Sequence, residues 1–256
     1  MTKLSVNLNA VAQLRNRRAV PWPSVTGIAR IALEAGAEGI TVHPRPDERH
    51  IRRTDVFELA SLLRADFAGR EFNIEGYPTD DFLTLCERAA PDQVTLVPDD
   101  PMQATSDHGW AIEANRAVLV PAIERLHKAH IRVSLFINAD PAAPATAAMV
   151  GADRVELYTG PYGGALKPEV AAVHLRALAE AAAAARNAGT NRPGSGPHGL
   201  GINAGHDLTL DNLPALIAAI PDLAETSIGH AITADALLYG FAETVRKYRA
   251  ILAVRK

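Results

Sequence analysis

Gly39-Ile-Thr-Val42, a helical stretch near 54–68, and then Glu71-Phe-Asn-Ile-Glu75 read as one strand, one helix and a second strand. Strands alternating with helices of this length form right-handed units in a parallel sheet. The same alternation recurs in both directions along the chain. Further strands are expected at Leu4–Asn9, Gln93–Val97, Arg132–Ile137, Arg154–Leu157, Gly199–Asn203 and Glu225–Ile228, with helices near 24–35, 79–89, 111–129, 141–150, 167–189, 210–219 and 231–252. Eight such units in 256 residues point to an α/β fold, a (β/α)8 TIM barrel, with one domain over 1–256 and room for extra short helices. A doubly wound open sheet is the competing arrangement, because alternation alone does not prove closure.

Punctuation supports these boundaries. Ala35-Gly36-Ala37 and Val150-Gly151-Ala152 read as glycine caps at helix ends, each followed at once by a strand. Pro78-Thr-Asp-Asp81 and Leu208-Thr-Leu-Asp-Asn212 offer capping oxygens at helix starts. The Gly-, Pro- and Asn-rich stretch Asn187–Gly199 should be a flexible loop on the N-terminal face, away from chemistry.

Composition excludes several classes. Apolar residues at 48% can fill a large core, and a net charge of −3 argues against a nucleic-acid surface. No apolar run reaches the roughly 20 residues that span a bilayer, so no membrane is expected. The first residues alternate like a strand and lack the apolar segment of a signal peptide. The single cysteine, Cys86, sits in a helical pattern and reads as a core residue; one thiol with no partner fits a reducing cytoplasm.

Nearly every expected strand ends in polar residues: Asn7 and Asn9, His43 and Arg45, Glu75, Asp99, Asn138 and Asp140, Glu156 and Thr159, Asn203 and His206, Gly229 and His230. In a barrel these ends converge on one mouth, where active sites sit. An imidazole at His43 can pass protons near neutral pH, and the guanidinium of Arg45 can grip a phosphate; His50 lies in the loop above them. Glu75, at the end of an apolar strand, would be partly desolvated and so a better general base, unless it is a salt-bridged structural glutamate. Glu156 lies within a strand, either as a second charged group of the site or paired with a neighbouring arginine.

Asn203-Ala-Gly-His-Asp-Leu-Thr209 and Ser227-Ile-Gly-His-Ala231 follow strands seven and eight, the usual phosphate grip of this fold. Thr159-Gly-Pro-Tyr-Gly-Gly164 is another glycine-rich loop, a second anion contact or a lid. None of the five lysines lies at a strand end, which argues against an enzyme-bound imine. These features indicate an enzyme acting on phosphorylated small molecules.

Val6-Asn-Leu8, Leu14-Arg-Asn16 with Arg18, Gly39-Ile-Thr-Val-His43 with Arg45, Arg49-His50, Asn73 with Glu75, Leu96-Val-Pro98, Val133-Ser-Leu-Phe-Ile137, Thr159-Gly160 with Tyr162, Asn203-Ala-Gly-His206 and Ile228-Gly-His-Ala231 occur in this order. The set resembles the pyridoxine 5′-phosphate synthase family over essentially the whole chain. The resemblance implies a cytoplasmic homo-octamer, a tetramer of dimers, with no metal or organic cofactor. It implies condensation of 1-deoxy-D-xylulose 5-phosphate with 3-amino-2-oxopropyl phosphate, releasing phosphate and water. By the same resemblance His43 and Glu75 are proton acceptors, His206 a proton donor and Glu156 a transition-state stabiliser. Asn7, Arg18, Gly229 and His230 would hold the aminoketone phosphate; Arg45, His50 and Thr105 would hold the deoxyxylulose phosphate. The family usually has Asn-x-Asp-His at strand one, where this chain reads Asn7-Leu-Asn9-Ala10, so Asn9 is carried over as a sugar contact and Ala10 is not. Asp207 stands in the substrate-binding set where the family typically has glycine.

Two other readings compete. A metal-dependent barrel hydrolase or isomerase would use His43, Glu75, His206 and His230 as ligands. A non-catalytic phosphometabolite-binding barrel is the other, motivated by Asn9-Ala10.

Overall fold

The computed structural model describes residues 1–99, 103, 106–189 and 199–253. Eight strands pair in chain order, all parallel: β1 (Lys3–Asn7), β2 (Gly39–Val42), β3 (Glu71–Gly76), β4 (Gln93–Leu96), β5 (Arg132–Ile137), β6 (Arg154–Tyr158), β7 (Gly201–Gly205) and β8 (Glu225–Ile228). β1 also pairs with β8, with Lys3 opposite Glu225 and Val6 opposite Ile228. That contact closes the sheet and decides for the barrel over the open sheet.

Helices cover the outside: α1 (Asn9–Asn16), α2 (Val25–Glu34), α3 (Arg53–Asp66), α4 (Asp80–Ala89), α5 (Arg116–Lys128), α6 (Ala143–Val150), α7 (Gly160–Gly163), α8 (Pro168–Asn187), α9 (Leu213–Ala219), α10 (His230–Tyr239) and α11 (Phe241–Leu252). Three of the four expected caps form, while Asn212 at the start of α9 makes no side-chain cap bond. The Thr79 hydroxyl accepts the Phe82 N–H at 3.2 Å, and Gly36 and Gly151 take left-handed φ of 106° and 99°. No described helix is long and apolar enough to cross a membrane. Most of the glycine-rich loop, residues 190–198, lies outside the described residues.

Several boundaries differ from expectation: β7 runs two residues later than expected and α9 begins three residues later. β1 stops at Asn7, because the Asn7 side-chain oxygen accepts the Asn9 N–H at 3.0 Å and turns the chain into α1. The Thr159–Gly164 loop contains the short helix α7. The single helix expected at 231–252 breaks into α10 and α11 at Gly240, whose φ is 78°.

Alternation along each strand sorts side chains between two environments. Leu4, Val6, Ile40, Val42, Ile74, Val133 and Leu135 belong to the buried apolar core. The intervening residues bond to one another across strands. Ser5 and Thr41 hydroxyls meet at 2.6 Å, Thr95 donates to Asn73 at 3.1 Å, and Arg132 donates to Gln93 at 3.0 Å. Near the amino ends, Glu71 pairs with Arg132 and, at 3.6 Å, with both Lys3 and Arg154. The polar set therefore continues through the barrel rather than stopping at a rim ring.

α1 also ties down the loop that carries His50. Arg15 forms a bidentate, buried ion pair with Asp55 at the start of α3, at 2.5 and 2.9 Å, and donates to the His50 carbonyl at 3.1 Å. Asn16 donates to the same carbonyl at 2.8 Å. Deleting one partner of such a pair strands a charge in low dielectric. Asp55→Ala should therefore cost about 3 kcal/mol or more, read as a lowered midpoint in chemical unfolding.

Candidate active site

A cavity of about 390 Å³ opens at the carboxyl ends of the strands, and residues from β1, β2, β3, β6, β7, β8 and their following loops line it. Asn7 ends β1 and donates from Nδ2 to Glu75 Oε2 at 3.4 Å. Asn9 accepts the His43 backbone N–H at 2.9 Å, which fixes the chain at the end of β2. His43 Nδ1 stands 3.9 Å from Glu75 Oε2, and the His43 and His50 rings meet edge-on at 6.1 Å between centroids. Arg45 is buried and paired with Asp99, which also accepts the Ser106 hydroxyl at 2.6 Å.

On the opposite wall, His206 follows β7 and packs against Phe136 and Tyr158, each with ring centroids at 5.3 Å. His206 and Asp207 both adopt positive φ, 82° and 56°, a region that glycine enters more readily than other residues. Glycine at position 207 would adopt this conformation with less strain. Here the turn is held from outside. The Thr159 hydroxyl bonds the carbonyls of Gly205 and His206, and Asn212 donates to the Asp207 carbonyl at 2.9 Å.

Glu156 occupies the cavity floor in contact with β7, where a Cβ on Gly205 would fall 2.3 Å from its Oε1. Gly229 likewise admits no side chain, since a Cβ would lie 2.9 Å from the Asn7 carbonyl. It leads directly into α10 through exposed His230. Beside it the Ser227 hydroxyl is buried and has no hydrogen-bond partner among the described residues. A helix amino terminus with a glycine and an unengaged hydroxyl suits an anion.

Burial sets the protonation states. His43 is held well below its ordinary value, first by desolvation and then by Arg45, His50 and His206. His50 falls to about 4, chiefly by burial, and its Nδ1 accepts the Ile51 N–H at 2.9 Å. Glu75 is pushed up to about 7 by burial and then by the Asp99 charge, against the opposing pull of Arg45. Burial pushes the Glu156 carboxyl well above its ordinary value, and the neighbouring Glu75 and Glu225 act in the same direction. Burial also lowers His206, with Asp207 and Asp99 acting the other way.

Of the residues expected from sequence, Asn7, Asn9, His43, Arg45, His50, Glu75, Glu156, His206, Asp207, Gly229 and His230 line this cavity. Arg18 is exposed beyond the end of α1 and does not; Thr105 lies outside the described residues. Five other strand-end candidates lie outside the lining, among them Asp99 and Thr159. Asn203 accepts from Arg154 at 3.3 Å, one level below the cavity. Asn138 accepts the Gly109 N–H, and Asp140 is exposed. Ala10, left out of the expected set, also lines the cavity, as do Gln13 and Ser106, which were not anticipated. Gln13 rides on α1, which strand-to-helix alternation did not reveal, and Ser106 sits in a loop with no periodic signal. Among the described residues no group of three or more His, Cys, Asp or Glu side chains is placed to hold a metal ion. His43, Glu75, His206 and His230 share the cavity but do not form one ligand set.

Solved structures of similar fold include tryptophan synthase from M. tuberculosis (TM-score 0.66, 12% identity, 99% of this chain and 93% of that one). Thiamine phosphate pyrophosphorylase from Pyrococcus furiosus is another (TM-score 0.58, 14% identity, 98% and 94% coverage). Sequence relatives are far more similar. Proteins named pyridoxine 5′-phosphate synthase are 59% identical over 249 residues in a Chelativorans species and 58% over 250 residues in Mesorhizobium japonicum, covering 96% of each chain. One from Brucella abortus is 56% identical over 252 residues, covering 98% of each chain. The model of the family described as pyridoxal phosphate biosynthesis protein PdxJ matches residues 4–254, and with relatives this similar over nearly full length, the chain belongs to that family.

Proposed function

We infer that this protein is a pyridoxine 5′-phosphate synthase: it condenses 1-deoxy-D-xylulose 5-phosphate with 3-amino-2-oxopropyl phosphate, closing a pyridine ring and releasing phosphate and water. One observation carries the reading, the convergence of His43, Glu75, Arg45 and His206 on a single cavity of a family member. The amine of one substrate attacks the ketone of the other and expels water as the imine forms. No enzyme lysine is needed, and none lines the cavity. What remains is proton transfer, loss of phosphate and loss of water.

His43 and Glu75 accept protons in this scheme. Burial keeps His43 neutral, and Glu75 is ionised above about pH 7. His206 is the donor. Its imidazole is neutral in the empty cavity, and a bound phosphate dianion favours its charged form. Glu156, its carboxyl pushed toward the protonated form by burial, donates a hydrogen bond to negative charge developing above it. Gly229, His230 and Asn7 hold the aminoketone phosphate; Arg45 and His50 hold the deoxyxylulose phosphate, and Asn9 and Asp207 flank them. Arg18 and Thr105 are assigned to phosphates on the family resemblance alone. No cofactor enters the scheme. One barrel domain over 1–256 is assigned to the cytoplasm and to a homo-octamer, a tetramer of dimers; exposed Leu14, Trp22, Leu237 and Leu238 fit subunit contacts.

Appearance of the pyridine chromophore on mixing the two substrates tests the activity. Tight binding without that signal would mark a non-catalytic binder, and activity lost on chelation would mark a metalloenzyme. Glu75→Gln should lower kcat at least 100-fold while the circular dichroism spectrum stays that of the folded barrel. Because the base must be ionised, kcat/KM should fall as pH drops through about 7, and Glu75→Gln should erase that limb from the residual rate.

A further inference from the structure

Asp99 follows β4 and lies behind the cavity wall rather than in its lining. Its side chain is 2% exposed and that of its partner Arg45 is 3% exposed. One oxygen, Oδ2, accepts from both Arg45 and, at 2.6 Å, the Ser106 hydroxyl. Both donors line the cavity, whereas Asp99 itself faces a smaller hollow of about 140 Å³ on the far side of His43 and Arg45. Its other oxygen, Oδ1, is buried with no hydrogen-bond partner among the described residues. A buried ion pair of this kind is poorly suited to stabilising a fold, since apolar residues of the same volume generally do as well. A carboxylate placed behind a phosphate-gripping arginine is well suited to holding the guanidinium plane in one orientation.

We propose that Asp99 is a positioning residue of this site: its carboxylate anchors the Arg45 guanidinium in the wall and places a fixed negative charge behind the cavity that Glu75 lines. The inference rests on the roles given above to Arg45 and Glu75. Asn7 at the end of β1 and His43 after β2 lie 3.4 and 3.9 Å from the Glu75 carboxylate, and the charged groups that act on it are Arg45 from the same loop as His43, Asp99 after β4, and Glu156 on β6. Asp99 is the negative group that raises the Glu75 carboxyl, while Arg45 and Asn7 lower it. Asp99 thus keeps Glu75 basic enough to take a proton from carbon, and cancels the acidifying pull of an arginine the substrate phosphate needs. It touches neither substrate nor reacting atom, so its action passes through its two neighbours.

Two variants separate these effects. Asp99→Asn keeps the shape and an oxygen for Arg45 but removes the charge, and the acidic limb of kcat/KM should move to clearly lower pH with KM for the pentulose phosphate nearly unchanged. Asp99→Ala removes the anchor as well, and should show the same displaced limb with KM raised about tenfold. A limb left at its wild-type position in the folded Asn variant overturns the electrostatic role, whatever happens to rate or melting temperature. KM equal in the Ala and Asn variants overturns the anchoring role; should Asp99→Ala fail to fold, Asp99→Glu, which keeps the charge, must restore the wild-type limb. If wild-type enzyme has no acidic limb, or Glu75→Gln stays active, the fault lies with the assigned role of Glu75 instead.

Discussion

Closure of an eight-stranded parallel sheet on itself is the constraint from which the rest follows. In a parallel barrel each strand presents alternate residues to the helices outside and to the interior within. Here Leu4, Val6, Ile40, Val42, Ile74, Val133 and Leu135 take the outer positions and form the core. The inner positions hold Ser5, Thr41, Asn73, Thr95, Glu156 and Glu225, all buried. A polar interior is costly unless its groups bond to each other, and along much of the barrel they do, from Ser5–Thr41 through Asn73–Thr95 to Gln93–Arg132. The hydrophobic driving force therefore sits almost wholly between sheet and helices, which leaves the interior available for chemistry.

Where that interior meets the cavity, charged and titratable groups gather. Glu75 and Glu156 are brought into one desolvated space with His43, His50 and Arg45. Low dielectric amplifies every interaction there. Both carboxyls rise and both imidazoles fall, so the groups are far less charged than their formulae suggest. Groups held in this way suit the proton transfers proposed for them. Asp99 and Arg45 form the fixed pair against which these softer groups are tuned.

The barrel was legible because its signal is periodic. Glu71-Phe-Asn-Ile-Glu75 and Arg154-Val-Glu-Leu-Tyr158 alternate strictly, and their boundaries fell within a residue of the observed strands. Most of the site was legible because strand ends are few and converge. What escaped is non-periodic. α1 begins where an Asn7 side chain bends the backbone, and no helical spacing announces that turn. Asn138 and Asp140 occupy strand-end positions yet point away, because Asn138 is occupied in holding Gly109. Position along a strand predicts the rim; it does not predict which way a side chain turns after the strand has ended. Asp99 shows the same limit from the other side, since its importance comes from what stands in front of it.

The His206–Asp207 turn shows how such a local violation is sustained. Two successive non-glycine residues with positive φ are strained, and glycine at 207 would relieve part of that strain. The surrounding structure over-determines them instead: Thr159 clamps two carbonyls, Asn212 holds a third, and Gly163 approaches so closely that a Cβ there would meet the Asp207 oxygen at 2.2 Å. Asp207 also acts on His206 by charge, opposing the desolvation that keeps the imidazole neutral. A glycine at 207 would ease the backbone and remove that support. The aspartate therefore makes His206 easier to protonate, which suits the donor role proposed for it and offsets what the backbone loses in comfort.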